Sequence, residues 1–307
     1  MQKPNIAKTK IAKPKVGFIG LGLMGSAMVS RLQDQEYPMT VIANRTRTRI
    51  DAAVARGASE ATSYRDLAVA SDIIMICVDT SASVEACMRG ETGVIAGIRP
   101  GTIILDFGTS LPASTRALGG EVVAAGGAML DAPLGRTPAH AREGKLNIMA
   151  AGDRDVWERA EPVLEELGEN VFHLGELGAG HTVKLLNNFL GMTTANVVAE
   201  IYAAADLAGV DRQAVYNVIS AGPLHSMMMD FVSDYALKGN PDTLEFSIRN
   251  GAKDMGYYAR MLADAGTSSA IADCPIAAMT AAVDAGHGDA MVPLMLDHYR
   301  DRFASHN

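Results

Sequence analysis

The tightest constraint on this chain is local. A short apolar run, Val16-Gly17-Phe18-Ile19, leads into Gly20-Leu21-Gly22-Leu23-Met24-Gly25 and then into an apolar, helix-forming stretch. A strand, a G-x-G-x-x-G turn and a helix, in that order, open a βαβ unit whose turn holds a dinucleotide. Gly20 permits the tight turn, Gly22 lets the backbone approach a pyrophosphate, and Gly25 lets helix and strand pack closely. The helix N-terminus adds N–H donors and the positive end of its dipole. The glycines and the interleaved Leu21, Leu23 and Met24 are therefore expected to bind cofactor, joined by Val78 and Asp79 after a later strand.

The alternation continues along the chain. Strands are expected at 16–20, 40–43, 73–78, 102–106, 128–131, 146–151 and 171–173, with helices near 26–34, 47–55, 83–88, 114–125 and 156–167. Continuous apolar strands between amphipathic helices predict an α/β fold: a Rossmann, doubly wound, mostly parallel sheet covered on both faces. The pattern stops at Gly175-Glu176-Leu177-Gly178-Ala179-Gly180, and no strand is expected beyond it. Residues 181–208 read as one long helix ended by Gly209, about 42 Å at 1.5 Å per residue. Ala- and Met-rich helix broken by Pro223, Pro241, Pro275 and Pro293 follows. The expected division is a flexible basic tail over 1–15, a nucleotide-binding domain over 16–178, and an all-α domain for substrate and dimerisation over 179–307. A long interdomain helix joins the two domains.

Charge narrows the function classes. The net charge of the 307 residues is −8, but the first 15 hold five lysines and no acid, leaving 22 basic against 35 acidic residues, or −13, for the body. Such a body is poorly suited to nucleic acid or an anionic membrane, and a single Trp offers little for base stacking. The longest apolar run, 73–78, is far below the roughly 18 residues of a membrane span. No apolar leader opens the chain. Cys77, Cys87 and Cys274 lack metal-ligand spacing, so reduced thiols and a cytoplasmic location are expected. There is no His-Glu-x-x-His, P-loop or G-x-S-x-G motif, and no Tyr is followed four residues later by Lys.

Two further stretches carry chemistry. After the second strand stands Asn44-Arg45-Thr46, followed by Arg47 and Arg49, where a carboxylate for the ribose 2′-hydroxyl of NAD would be. Arg45 can pair bidentately with a 2′-phosphate, so NADP(H) is expected, with NAD(H) as the alternative. On the long helix, Gly180, Lys184 and Asn188 share one face, flanked by Val183, Leu186 and Leu190 on one side and Leu185, Phe189 and Met192 on the other. Desolvation lowers the pKa of a lysine so placed, which suits general acid–base work; the other reading is a lysine paired with an acid.

Together these motifs resemble the β-hydroxyacid dehydrogenase family from residue 16 to about 300. The matching runs, in order, are 17–25, Asp131-Ala132-Pro133 through Gly144-Lys145-Leu146, G-x-x-x-K-x-x-x-N at Gly180, Lys184 and Asn188, and Lys253-Asp254. The resemblance implies a Rossmann domain, a helical C-terminal domain, and homodimers or homotetramers. It makes Lys184 the general acid in reduction and the base in oxidation. Thr109 falls at the nicotinamide ribose, Lys253 at the cofactor, and Asn188, Asn187, Gly135, Arg136, Thr137 and Ser110 at the substrate. Where the family has Ser-Gly-Gly, this chain has Gly135-Arg136-Thr137, which is similar to the sulfolactaldehyde reductase branch. Arg136 then offers a positive charge to a terminal sulfonate or carboxylate; its other reading is a loop arginine paired with an acid. The expected activity is NADP-linked reduction of a small anionic aldehyde, of the sulfolactaldehyde or succinic semialdehyde type. The alternatives are a 3-hydroxyisobutyrate- or serine-type dehydrogenase, and a non-catalytic binding protein on the same scaffold. Non-catalytic relatives lack the helix lysine, which this chain retains.

Overall fold

Strand residues at alternate positions feed two separate cores, one on each face of a sheet. In the computed structural model, which describes residues 13–43 and 47–305, Phe18, Met75 and Leu105 join one buried cluster. Their neighbours Ile19, Ile74, Ile76 and Ile104 join another. Both faces are therefore apolar, and the strands lack the polar alternation of a half-exposed sheet. The elements run β1 (Val16–Ile19), α1 (Leu23–Asp34), β2 (Met39–Val41), α2 (Arg47–Ala55), β3 (Ser59–Glu60), α3 (Tyr64–Val69), β4 (Ile73–Ile76) and α4 (Ser81–Met88). Then come β5 (Ile103–Asp106), α5 (Pro112–Ala124) and β6 (Ala128–Asp131). All pairings among these six strands are parallel. Their order, β3-β2-β1-β4-β5-β6, is that of a Rossmann fold, with its switch point between β1 and β4.

One expectation is corrected. The strands expected at 146–151 and 171–173 do not extend that sheet. With β7 (Leu134–Gly135), β8 (Leu146–Ala150) and β9 (Gly168–His173) form a second sheet, in which β7–β8 is antiparallel and β8–β9 parallel. Helices α6 (Pro138–Arg142) and α7 (Arg154–Leu167) lie between these strands in sequence. The tail also engages earlier than expected. Lys15 N donates to Asp72 Oδ2 at 2.9 Å, and Lys13 stands 3.9 Å from Glu166. Residues 1–12 lie outside the described residues.

The chain then enters α8 (Ala179–Leu207), of 29 residues. Two compact units divide within it, one ending at His181 and the other starting at Thr182. The second unit continues through α9 (Arg212–Ser220), α10 (Met227–Lys238), α11 (Ile248–Asp264), α12 (Ala270–Ala282) and α13 (Met295–Ala304). Side-chain caps start four of these, with Asp211, Ser226, Ser247 and Ser269 each accepting from a backbone N–H in the first turn. Leu185, Met192, Tyr202, Met229, Met255, Met279 and Met295 are central to its core. Methionine's flexible chain suits the irregular gaps between helices. Among the described residues, no helix is long and apolar enough to cross a membrane.

Candidate active site

The first unit sets the glycine turn at the end of β1, at the switch point of the sheet. Gly20 has φ +96°, and a Cβ there would lie 2.3 Å from Cys77 O. A Cβ on Gly25 would lie 2.0 Å from Gly20 O. Neither position tolerates a side chain, the first for its backbone conformation and closeness to β4, the second for the approach of α1 to the turn. Gly22 differs. It is the N-cap of α1, and no atom stands within 4 Å of where its Cβ would be. No acid occupies the first turn of α1 and no side chain caps it, and helix geometry leaves the first N–H groups without partners inside the helix. An open position at Gly22, those donors and the helix dipole fit a pyrophosphate.

Around this turn, Leu21 is buried, Met24 half-buried and Leu23 exposed. Val78 is half-buried; Asp79 is exposed and its Oδ1 accepts from Ser83 Oγ at 2.7 Å. Burial pushes the Cys77 thiol up to about 12, with the Asp106 charge adding, which disfavours the thiolate. Asn44, Arg45 and Thr46 lie outside the described residues. Of the arginines that follow, Arg47 is committed to Glu60 at 2.6 Å and Asp51 at 2.7 Å, and Arg49 donates to Leu21 O at 3.4 Å.

Ser110 is 2% exposed, and its hydroxyl donates to Asp106 Oδ2 at 3.1 Å, which anchors the loop after β5. Thr109, beside it, is half-buried. Arg136 has φ +76°, in the left-handed region, at a place where the family pattern has Gly. Its guanidinium donates to Lys145 O at 2.6 Å and pairs with Glu169 at 2.5 Å, so its charge is already met. Gly135 lies in β7 opposite Asn147. Thr137 shares a 2.8 Å hydrogen bond with His140 Nδ1. Asp131 opens the second matching run, yet it serves the backbone. Its oxygens accept from Gly178 N at 2.7 Å and His181 N at 2.6 Å, capping the start of α8.

In the second unit, α8 and α11 bring a charged group together. Phe189 stacks on Tyr258 with ring centroids 4.2 Å apart, fixing the two helices face to face. Beside this contact, Asn188 is buried and its Nδ2 donates to Asp254 Oδ2 at 2.6 Å. Lys253 Nζ lies 2.9 Å from Asp254 Oδ1 and 5.3 Å from the Tyr257 ring centroid. Burial holds the Lys184 ammonium below the ordinary lysine range; the Lys253 charge adds to this and the Asp254 charge opposes it. Asn187, one residue along, is exposed and donates to Asn188 Oδ1 at 3.3 Å. Asp254, 2% exposed, is the residue whose part here was not anticipated.

A dinucleotide cradle on a Rossmann sheet, and a desolvated lysine on a helical unit, define a nicotinamide-dependent oxidoreductase. The comparisons agree. Residues 15–175 match the NAD binding domain of 6-phosphogluconate dehydrogenase, and residues 178–298 match the NAD-binding region of NADP-dependent 3-hydroxyisobutyrate dehydrogenase. An NAD-dependent L-serine dehydrogenase of Pseudomonas aeruginosa is 34% identical over 205 residues, 67% of this chain and 68% of that one. The cytokine-like nuclear factor N-PAC of Xenopus tropicalis is 32% identical over 226 residues, 74% of this chain; the match spans only 42% of that protein's length. Among solved structures, Mycobacterium tuberculosis 3-hydroxyisobutyrate dehydrogenase with L-serine shares the fold, with TM-score 0.81 at 24% identity, covering 94% of this chain and 99% of that one. The chain belongs to the β-hydroxyacid dehydrogenase family.

Proposed function

We propose that this chain interconverts a small 3-hydroxy acid and its carbonyl form, with Lys184 moving the proton. The observation that carries this reading is the lowered Lys184 ammonium beside Asn188, Lys253 and Asp254. A lysine that titrates closer to neutrality can both give and take a proton, as a reversible reaction requires. The nicotinamide cofactor, when bound, supplies or accepts the hydride. Lys184 protonates the carbonyl oxygen in reduction and takes the hydroxyl proton in oxidation. Asp254 holds Asn188 by its amide, and the Asn188 carbonyl, which accepts from Asn187, has a second lone pair to orient a donor. Gly20, Leu21, Gly22, Leu23, Met24 and Gly25 would hold the pyrophosphate, with Val78, Asp79 and Thr109 along the same strand ends.

For the substrate, the Arg136–Glu169 pair removes the fixed charge on which a terminal sulfonate or second carboxylate depended. The L-serine dehydrogenase relative favours a 3-hydroxy acid of the serine or 3-hydroxyisobutyrate type. NADP(H) is preferred on the strength of Asn44-Arg45-Thr46, which offers a guanidinium and no carboxylate. A single assay series tests these points together. L-serine and 3-hydroxyisobutyrate are oxidised, and sulfolactaldehyde and succinic semialdehyde reduced, each with both nucleotides. The 3-hydroxy acids should give the higher kcat/KM, and NADP(H) should outperform NAD(H) by about tenfold or more. A preference for the anionic aldehydes overturns the substrate class, and a preference for NAD(H) overturns the reading of Arg45.

Self-association completes the proposal. Leu186, Leu190, Val197 and Ile201 lie 37–68% exposed along α8. A stripe of that kind is what a second copy would cover. Sedimentation should return a dimer or tetramer, and a monomer at micromolar concentration removes this part.

A further inference from the structure

His181 has no part in the chemistry above, yet it is the most enclosed titratable ring of the first unit, with 0% exposure. It lies in the first turn of α8, among groups from three different elements. Thr115, on α5, is within hydrogen-bond reach of Leu111 O at 3.2 Å and shares a 2.8 Å hydrogen bond with His181 Nδ1. Asp131 Oδ2, at the end of β6, lies 3.7 Å from Nδ1. Asp106 Oδ2, at the end of β5, lies 3.8 Å from Nε2, and Nε2 has no hydrogen-bond partner among the described residues.

Asp106 in turn shapes the loop that follows β5. Its Oδ1 accepts from Gly108 N at 2.9 Å and its Oδ2 from Ser110 Oγ. Phe107 N donates to Ile76 O at 2.8 Å, and Leu111 N donates to Ser81 Oγ, also at 2.8 Å. Phe107, Gly108 and Ser110 are all buried, and Thr109 is the half-exposed crest between them. The ring therefore joins the start of α8 to α5 through Thr115, and it stands 3.8 Å from the carboxylate that holds the loop on either side of Thr109.

We propose that His181 is a positioning residue: through Thr115 and the Asp106 carboxylate it sets the height of Thr109 for the nicotinamide half of the cofactor. This rests on the dehydrogenase reading. Because the ring and its partners are buried, their removal shifts the loop without touching the ligand, and shifts well below an ångström to about 1 Å are enough to matter at a site of this kind.

The test compares isosteric pairs of the full-length protein, with NADPH as the probe. Thr115→Val keeps the shape and deletes the hydroxyl, while Thr115→Ser keeps the hydroxyl. His181→Leu deletes both ring nitrogens, while His181→Asn retains an amide at the Nδ1 position. NADPH binding, followed by fluorescence, should weaken about tenfold in Thr115→Val and His181→Leu, and return to within about twofold of the parent in Thr115→Ser and His181→Asn. If His181→Leu does not fold, the Thr115 pair alone decides. Equal NADPH affinity in Thr115→Val and Thr115→Ser overturns the proposal, as does a loss of melting temperature with affinity unchanged. A parent protein that binds neither NADPH nor NADH defeats the dehydrogenase reading itself, which is a separate outcome.

Discussion

Replacing Lys184 with Met should lower kcat by about 10³-fold while NADPH affinity stays within about twofold of the parent. Methionine keeps the apolar length of the side chain, so the loss isolates the amine. The pH dependence carries the sharper signature. In the oxidative direction the amine must be neutral to accept a proton. The rate therefore rises with pH and levels off above the Lys184 midpoint, which burial places below the ordinary lysine value. In the reductive direction the ammonium is needed, and the rate falls through the same midpoint. The neighbouring charges act with opposite sign. Asp254 favours the ammonium, so Asp254→Asn should move the midpoint further down. Lys253 disfavours it, so Lys253→Met should move the midpoint up. Profiles of kcat/KM against pH for the three proteins check this. Midpoints that do not move, or that move the other way, remove Lys184 as the titrating group, and near-normal turnover in Lys184→Met removes it from the reaction.

The residues explain why some of this was readable in the sequence and some was not. The parallel sheet was legible because β1, β4 and β5 are buried on both faces and read as unbroken apolar runs. The strand β3, Ser59–Glu60, is exposed and two residues long, so its burial leaves no trace in the pattern. β7, Leu134–Gly135, is also only two residues long, too short for a period to show. Lys184 and Asn188 could be placed on one helical face because a 3.6-residue period is a local property. Arg136 is the opposite case. Its partner Glu169 is 33 residues away on β9, and its positive φ appears only in three dimensions. Ser110 likewise depends on Asp106 turning back to meet it. Asp254 was within reach of sequence reasoning. Ile248, Gly251, Met255 and Tyr258 mark the buried stripe of α11, and Asp254 falls inside that stripe. An acid on an apolar stripe, next to a lysine, marks a candidate site residue.

Gly180→Ala should destabilise the protein by about 3 kcal/mol, lowering the melting temperature by about 6–12 °C. Two effects oppose each other at this position. Alanine in a helix is favoured over glycine by about 1 kcal/mol. Against this, a Cβ at Gly180 would lie 2.2 Å from Met149 O and 2.9 Å from Asp131 Oδ2. Met149 O is backbone of β8, and Asp131 is held by two N–H donors at the start of α8, so neither can withdraw without breaking other hydrogen bonds. The collision therefore outweighs the propensity. Gly22→Ala is the matched control. It has no neighbour within 4 Å, and its backbone, at φ −69° and ψ −162°, is extended. Its melting temperature should be unchanged, and its loss should fall on nucleotide binding, where a methyl group blocks the approach of the pyrophosphate. The two glycines thus separate a residue kept small for the fold from one kept small for a ligand. If Gly180→Ala melts at or above the parent temperature, the close approach of α8 to β8 is not what requires glycine there. In that case Gly180 returns to the reading its spacing first suggested, as a member of the face shared with Lys184 and Asn188.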